Sequence, residues 1–202
     1  MRRAIFGGSF DPVYNGHINL VKQICGKVHL DEVIVMPTAI SPFKQNMERK
    51  PASAADRLEM CRLAFSDMDF VTVSDFEISL LEVSYTVNTL RHFHSLYPDD
   101  ELFIIIGSDN LLSFEKWRNY EEILSLCTVI AASRENGETD MSELEAQAEK
   151  LRKFGEILLV RTETFEASST EIREKIKKNS DISCYVHENV VKYISEHKLY
   201  TA

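Results

Sequence analysis

The chain has 202 residues, 44% hydrophobic and 27% charged, with a formal net charge of −9, which suits one α/β unit with a buried core. The acidic balance argues against a broad nucleic-acid surface, which needs a basic face, but leaves room for a phosphate cleft made of a few cations and backbone N–H groups. No apolar run approaches the roughly 18 residues of a membrane span, and the apolar stretch after Arg2-Arg3 is too short for a leader and runs straight into Gly7-Gly8, so a cytoplasmic protein with no membrane partner is expected.

In chain order, residues 4–6 read as a strand that ends at Gly7-Gly8. Residues 17–25 carry Leu20, Val21 and Ile24 at helical spacing. Glu32–Pro37 is a buried strand. Residues 38–52, with two prolines and three cations, read as an irregular surface loop. Residues 54–65 form a helix with Leu58, Cys61 and Phe65 on one face, and 70–73 a strand. Residues 85–97 form a helix with Ser84 as its N-cap. Residues 102–106 (Leu-Phe-Ile-Ile-Ile) are apolar on both faces, the mark of a central strand. Strands follow at 128–132 and 156–160. Between them lie a polar turn at 135–140 and a charged helix at 141–154. From about Ser168 come two short helices, with Ile172, Ile176, Val190 and Ile194 facing inward. Strands alternating with helices imply a doubly wound parallel sheet. The expectation is one domain over 1–202, with a small C-terminal helical segment.

Four cysteines stand far apart with no C-x-x-C pair, and read as scattered core thiols. The histidines outside the first helix lack metal-ligand spacing, so no protein metal site is expected.

Two strings carry chemistry. The first is Gly7-Gly8-Ser9-Phe10-Asp11-Pro12-Val13-Tyr14-Asn15-Gly16-His17. It sits after the first strand, where ligands bind in such sheets. Gly7 and Gly8 permit close backbone approach and unusual φ, and Gly16 a tight helix entry. His17 falls in the first helical turn, near N–H groups and the positive end of the dipole. The plain alternative is a glycine-rich turn with a solvated histidine. The second string is Ser168-Ser169-Thr170-Glu171-Ile172-Arg173. Ser168 and Glu171 have capping-box spacing, and Arg173 lies one turn in. Hydroxyls, N–H donors and a guanidinium would converge there on an anion.

The first string resembles the Gly-x-Phe-Asp-Pro-x-His-x-Gly-His signature of the nucleotidyltransferase superfamily, with Tyr14 in place of its first histidine. The second resembles that superfamily's Ile-Ser-Ser-Thr-x-Ile-Arg, with Ala167 in place of the first Ile. Nearly the whole chain resembles bacterial nicotinate-nucleotide adenylyltransferases in the order of its motifs. Ser41-Pro42-Phe43-Lys44 is similar to their Pro-Pro-His-Lys loop, with Phe43 for the histidine. Ser84-Tyr85-Thr86 matches their Ser-Tyr-Thr, and Gly107-Ser108-Asp109 their Gly-x-Asp.

The resemblance implies a Rossmann-like fold. It also implies transfer of AMP from ATP to nicotinate mononucleotide, with pyrophosphate released. His17, Lys44 and Arg173 would be catalytic. Gly7, Gly8, Ser9, Phe10, Tyr14, Gly16, His17, Gly107, Asp109, Ser168, Ser169, Thr170 and Arg173 would bind ATP, with Asp109 on the ribose hydroxyls. Lys44, Ser84, Tyr85, Thr86 and Trp117 would meet the acceptor, Trp117 by stacking on the pyridine ring. Mg²⁺ would arrive mainly on the ATP phosphates. Self-association stays open. So do the same chemistry on nicotinamide mononucleotide or phosphopantetheine, and a nucleotide-binding regulator without catalysis.

Overall fold

The computed structural model describes residues 1–39, 51–80, 83–134 and 141–201. The expected loop motif Ser41-Pro42-Phe43-Lys44 and the expected turn at 135–140 lie outside them. The described chain runs β1 (Arg2–Gly8), α1 (Asn15–Val28), β2 (Glu32–Pro37), α2 (Ala54–Ala64), β3 (Val71–Val73), α3 (Phe76–Ser79), α4 (Thr86–Leu96) and β4 (Glu101–Gly107). It continues through α5 (Ser108–Leu112), a 3₁₀ turn (Phe114–Lys116), α6 (Tyr120–Leu126), β5 (Thr128–Arg134), α7 (Met141–Leu151), β6 (Ile157–Thr162), α8 (Ser169–Lys177) and α9 (Glu188–Glu196).

The strands form one six-stranded parallel sheet in the order β3-β2-β1-β4-β5-β6. This is an α/β Rossmann-like fold. Period-two alternation sorts each strand between two cores. Ala4, Phe6, Val33, Val35, Phe103 and Ile105 face one side; Ile5, Ile34, Met36, Leu102, Ile104 and Ile106 face the other. α1 closes the first core with Ile18, Val21, Ile24 and Val28 at helical spacing. Ile172, Val190 and Ile194 bring α8 and α9 onto the same face. Leu90 and Phe93 of α4, Leu124 of α6 and Leu144 and Leu151 of α7 close the second. No helix among the described residues is long and apolar enough to cross a membrane.

Several sequence expectations shift. β1 extends beyond its apolar run to Gly8, which pairs with Pro37, because the ladder needs backbone groups rather than apolar side chains. The expected helix 85–97 starts one residue later, and Ser84 is not its cap. The N-cap is Tyr85, with no side-chain cap bond; Ser84 Oγ instead accepts the Ala39 N–H at 3.1 Å. Only Cys61 and Cys127 are buried thiols; Cys25 is half-buried and Cys184 exposed. Helices α3, α5 and α6 were not anticipated, being too short to show a 3.6-residue period.

The order reverses between β1 and β4. After β1 the chain goes to β2 and β3 on one side, then returns to β4 on the other. Loops leaving the carboxyl ends of β1 and β4 diverge, which opens a crevice there.

Candidate active site

The crevice is a cavity of about 700 Å³ at the carboxyl ends of β1 and β4, a volume that suits a nucleotide-sized ligand. Gly7, Gly8, Ser9 and Thr38 line one wall, and Gly107, Asp109 and Asn110 another. Ser84, Tyr85, Thr86, Thr89 and Glu77 close a third side with Lys116, Trp117 and Arg118. The fold thus gathers Gly7, Gly8, Ser9, Gly107, Asp109, Ser84, Tyr85, Thr86 and Trp117 from four separate stretches of chain.

Each wall follows from local chemistry. A Cβ on Gly7 would meet nothing within 4 Å, whereas one on Gly8 would press into the Phe10 ring at 2.9 Å. The backbone strain is not where the sequence suggested. No described glycine has positive φ; Phe10 does, at 47°. Its ring, 2% exposed, packs edge-on against Phe6 and His17. Asp109 is exposed at the start of α5, and its Oδ1 would lie 2.7 Å from a Cβ at Gly107. A side chain there would have to displace that carboxylate. The Trp117 ring is half-buried and stacks on Phe114 with centroids 5.0 Å apart. It is therefore both a packing residue and part of the cavity wall.

The remaining expected residues that the structure describes do not line this cavity. They gather beside it, where α1 and α8 begin. His17 is in the first turn of α1, and its Nδ1 accepts the Tyr14 N–H at 3.2 Å. An accepting Nδ1 puts the ring proton on Nε2, as assigned from this bond. Gly16 is needed because a Cβ would overlap the Tyr14 ring at 2.3 Å. Tyr14 itself is buried, its ring against His17 and Phe165. Ser168 caps α8 by accepting the Glu171 N–H at 3.2 Å. Ser169 Oγ donates to the Pro12 carbonyl at 2.9 Å. Arg173 donates to the Asp11 carbonyl at 2.6 Å and to Thr170 Oγ1 at 2.9 Å. The two motifs are thus bonded to each other across the sequence. Lys44 lies outside the described residues. Among those described, no three His, Cys, Asp or Glu side chains are grouped to hold a metal ion.

Sequence reasoning missed several cavity residues. Lys116 and Arg118 flank the only tryptophan, and that was a readable sign. Arg118 also lies over the Tyr85 ring, 4.8 Å from its centroid. Glu77 had no sign at all; the short α3 carries it in. It is 6% exposed, and its Oε1 accepts from Thr89 Oγ1 at 2.7 Å. Burial pushes its pKa up, against the lowering effect of the Thr89 and Ser84 hydroxyls. A carboxyl whose folded pKa is raised is more protonated folded than unfolded. Its contribution therefore weakens as pH rises from the ordinary carboxylate range through the raised value. Glu77→Gln, which keeps the shape, is expected to remove that decline and to hold or raise the Tm at neutral pH. Thermal unfolding of both proteins across that pH range checks it; an unchanged pH dependence overturns it.

A family model described as cytidylyltransferase-like matches residues 5–175. A relative from Clostridium botulinum (strain Loch Maree / Type A3), named "Probable nicotinate-nucleotide adenylyltransferase", is 35% identical over 201 residues, 99% of each chain. A relative of the same name from Methylacidiphilum infernorum (isolate V4) is 37% identical over 200 residues, 98% of this chain and 92% of that one. The solved Plasmodium falciparum nicotinic acid mononucleotide adenylyltransferase complexed with NaAD superposes with a TM-score of 0.79. It is 23% identical and the match covers 98% of this chain and 97% of that one, a likeness of fold. The chain belongs to the cytidylyltransferase-like family and, within it, stands among the nicotinate-nucleotide adenylyltransferases.

Proposed function

We propose that this nucleotidyltransferase transfers AMP from ATP to nicotinate mononucleotide in the cytoplasm, forming nicotinate adenine dinucleotide and pyrophosphate. The observation that carries the reading is the composition of the cavity. Gly7, Gly8, Gly107 and Asp109 line it, and so do Trp117 and the two cations that flank it in sequence, Lys116 and Arg118. The first suits a nucleotide's phosphates and ribose hydroxyls. The second suits a flat ring bearing a carboxylate.

In this mechanism a phosphate oxygen of the acceptor attacks the α-phosphorus in line. The new P–O bond forms as the bond to the bridging oxygen breaks, and pyrophosphate leaves with that electron pair. A phosphate is already an anionic nucleophile, so the protein's work is positioning and charge neutralisation. His17 donates from Nε2 to an α-phosphoryl oxygen. Arg173, Lys44 and the N-terminus of α8 at Ser168, Ser169 and Thr170 hold the triphosphate. Gly7, Gly8, Ser9 and Phe10 present backbone to it. The motif positions Tyr14 and Gly16 act by seating His17. Gly107 and Asp109 take the ribose, and Ser84, Tyr85, Thr86 and Trp117 the acceptor. The donor set is cationic and N–H-rich rather than carboxylate-rich. That fits a triphosphate bringing its own Mg²⁺, which supplies further charge neutralisation.

Glu77 is the one observation that favours an amide acceptor, since a carboxylate accepts from an NH₂ group. The N–H groups at the start of α4 and the Arg118 guanidinium favour the anion. An amide turns a donor toward one of these donors, a mismatch of about 1–3 kcal/mol. The acid should therefore be preferred by about ten- to a hundredfold. The test is kcat/KM for nicotinate and nicotinamide mononucleotides in the wild type and in Trp117→Ala, Thr86→Ala and Arg118→Met. Stacking does not read the substituent, so Trp117→Ala should weaken both acceptors and keep their ratio. Thr86→Ala and Arg118→Met should shrink it. Equal use of acid and amide by the wild type sinks the acid assignment.

A further inference from the structure

Arg57 lies on α2, outside both motifs, and is 3% exposed. A buried guanidinium must place its N–H groups on acceptors. Here Nη1 donates to the Ser9 carbonyl at 2.8 Å, Nη2 to the Thr38 carbonyl at 2.7 Å, and Nε to the Ala52 carbonyl at 3.3 Å. Ser9 follows β1 and Thr38 follows β2; both line the cavity. Their strands are joined at the same place by the Thr38 N–H on the Gly8 carbonyl, at 2.9 Å.

The next residue, Phe10, has a φ of 47°. Bulky side chains rarely adopt that conformation, and it persists where surroundings over-determine it. The Ser9 carbonyl and the Phe10 N–H belong to one peptide plane and point opposite ways. Holding the carbonyl on Arg57 fixes the direction of that N–H before any ligand arrives. A planar fork can hold the Ser9 and Thr38 carbonyls at once, which a lysine ammonium on a flexible stem does poorly.

We propose that Arg57 is a positioning residue for the phosphate-binding turn. By pinning the Ser9–Phe10 peptide and tying the exit of β1 to the exit of β2, it aims the turn's N–H donors at the phosphoryl group. This rests on the adenylyl-transfer reading above. Arg57 does not line the cavity, so its removal acts on the rate of the chemical step more than on acceptor binding.

The test uses the full chain with ATP and nicotinate mononucleotide. Wild type is assayed first, so that absent turnover counts against the functional reading and not against Arg57. Arg57→Lys and Arg57→Gln are then compared at a temperature where circular dichroism shows both folded. The expected result is a kcat at least about tenfold lower, with KM for the acceptor within about threefold. Arg57→Ala should regain several-fold activity with a few millimolar guanidinium but not with equal ammonium, since only the former restores a planar fork. A kcat within about threefold of wild type in Arg57→Lys overturns the proposal. Absent guanidinium rescue overturns it too. Variants that cannot be recovered folded assign Arg57 to the fold instead of the turn, and also overturn it.

Discussion

His17→Ala is expected to lower kcat about a hundredfold or more while ATP affinity changes far less. The Tyr14 N–H donates to His17 Nδ1 at 3.2 Å, which leaves the proton on Nε2 and so makes that atom a donor. The rings of Phe6, Phe10 and Tyr14, with centroids 6.1, 5.0 and 4.2 Å from that of His17, hold the imidazole in place. A preorganised donor at the start of a helix gains most when phosphoryl charge grows, and so acts on the transition state rather than on the ground state. The same bond also caps α1, so the variant should lose about 1 kcal/mol of stability. Pre-steady-state turnover and ATP binding, both measured well below the Tm, separate the two effects. His17→Asn keeps a donor and should recover part of the rate. A kcat within about threefold of wild type in His17→Ala removes His17 from the chemistry.

Arg173→Ala should weaken ATP binding by about 1.5–3 kcal/mol, or roughly ten- to a hundredfold in Kd. The side chain is 11% exposed. Its bonds to the Asp11 carbonyl and Thr170 Oγ1 fix the guanidinium between the starts of α1 and α8. Two helix N-termini already favour an anion there, and a fixed fork adds paired donors without a further ordering cost. Arg173→Lys keeps the charge and should still lose several-fold. Calorimetric titration with a non-hydrolysable ATP analogue, with Tm measured alongside, gives the answer. A Kd within about threefold of wild type with a lowered Tm makes Arg173 a strut between the two motifs and nothing more.

The elements legible in the sequence were those whose signal is local and repeated. β2 came out with its bounds intact because Glu32–Pro37 is a short apolar run with a proline at its end. The central place of β4 was readable because residues 102–106 are apolar on both faces, as only an interior strand needs. The N-cap of α8 was readable because Ser168 and Glu171 stand at capping-box spacing, and Ser168 Oγ does accept the Glu171 N–H. The order of the two motifs along the chain, and hence the family, was likewise written in the sequence.

What only the tertiary structure decided depends on residues far apart in the chain. Ser84 looked like a cap, but it bonds the Ala39 N–H, a partner no local pattern can announce. Positive φ fell on Phe10 and not on the described glycines, because packing of its ring against Phe6 and His17 outweighs local preference. Glu77 on α3 and Arg57 on α2 gave no sign of converging, since each reaches the site by way of a different helix. Most of all, the cavity itself is a consequence of strand order. Apolar periodicity says which residues are buried; only the reversal between β1 and β4 says where loops must part and a ligand can enter.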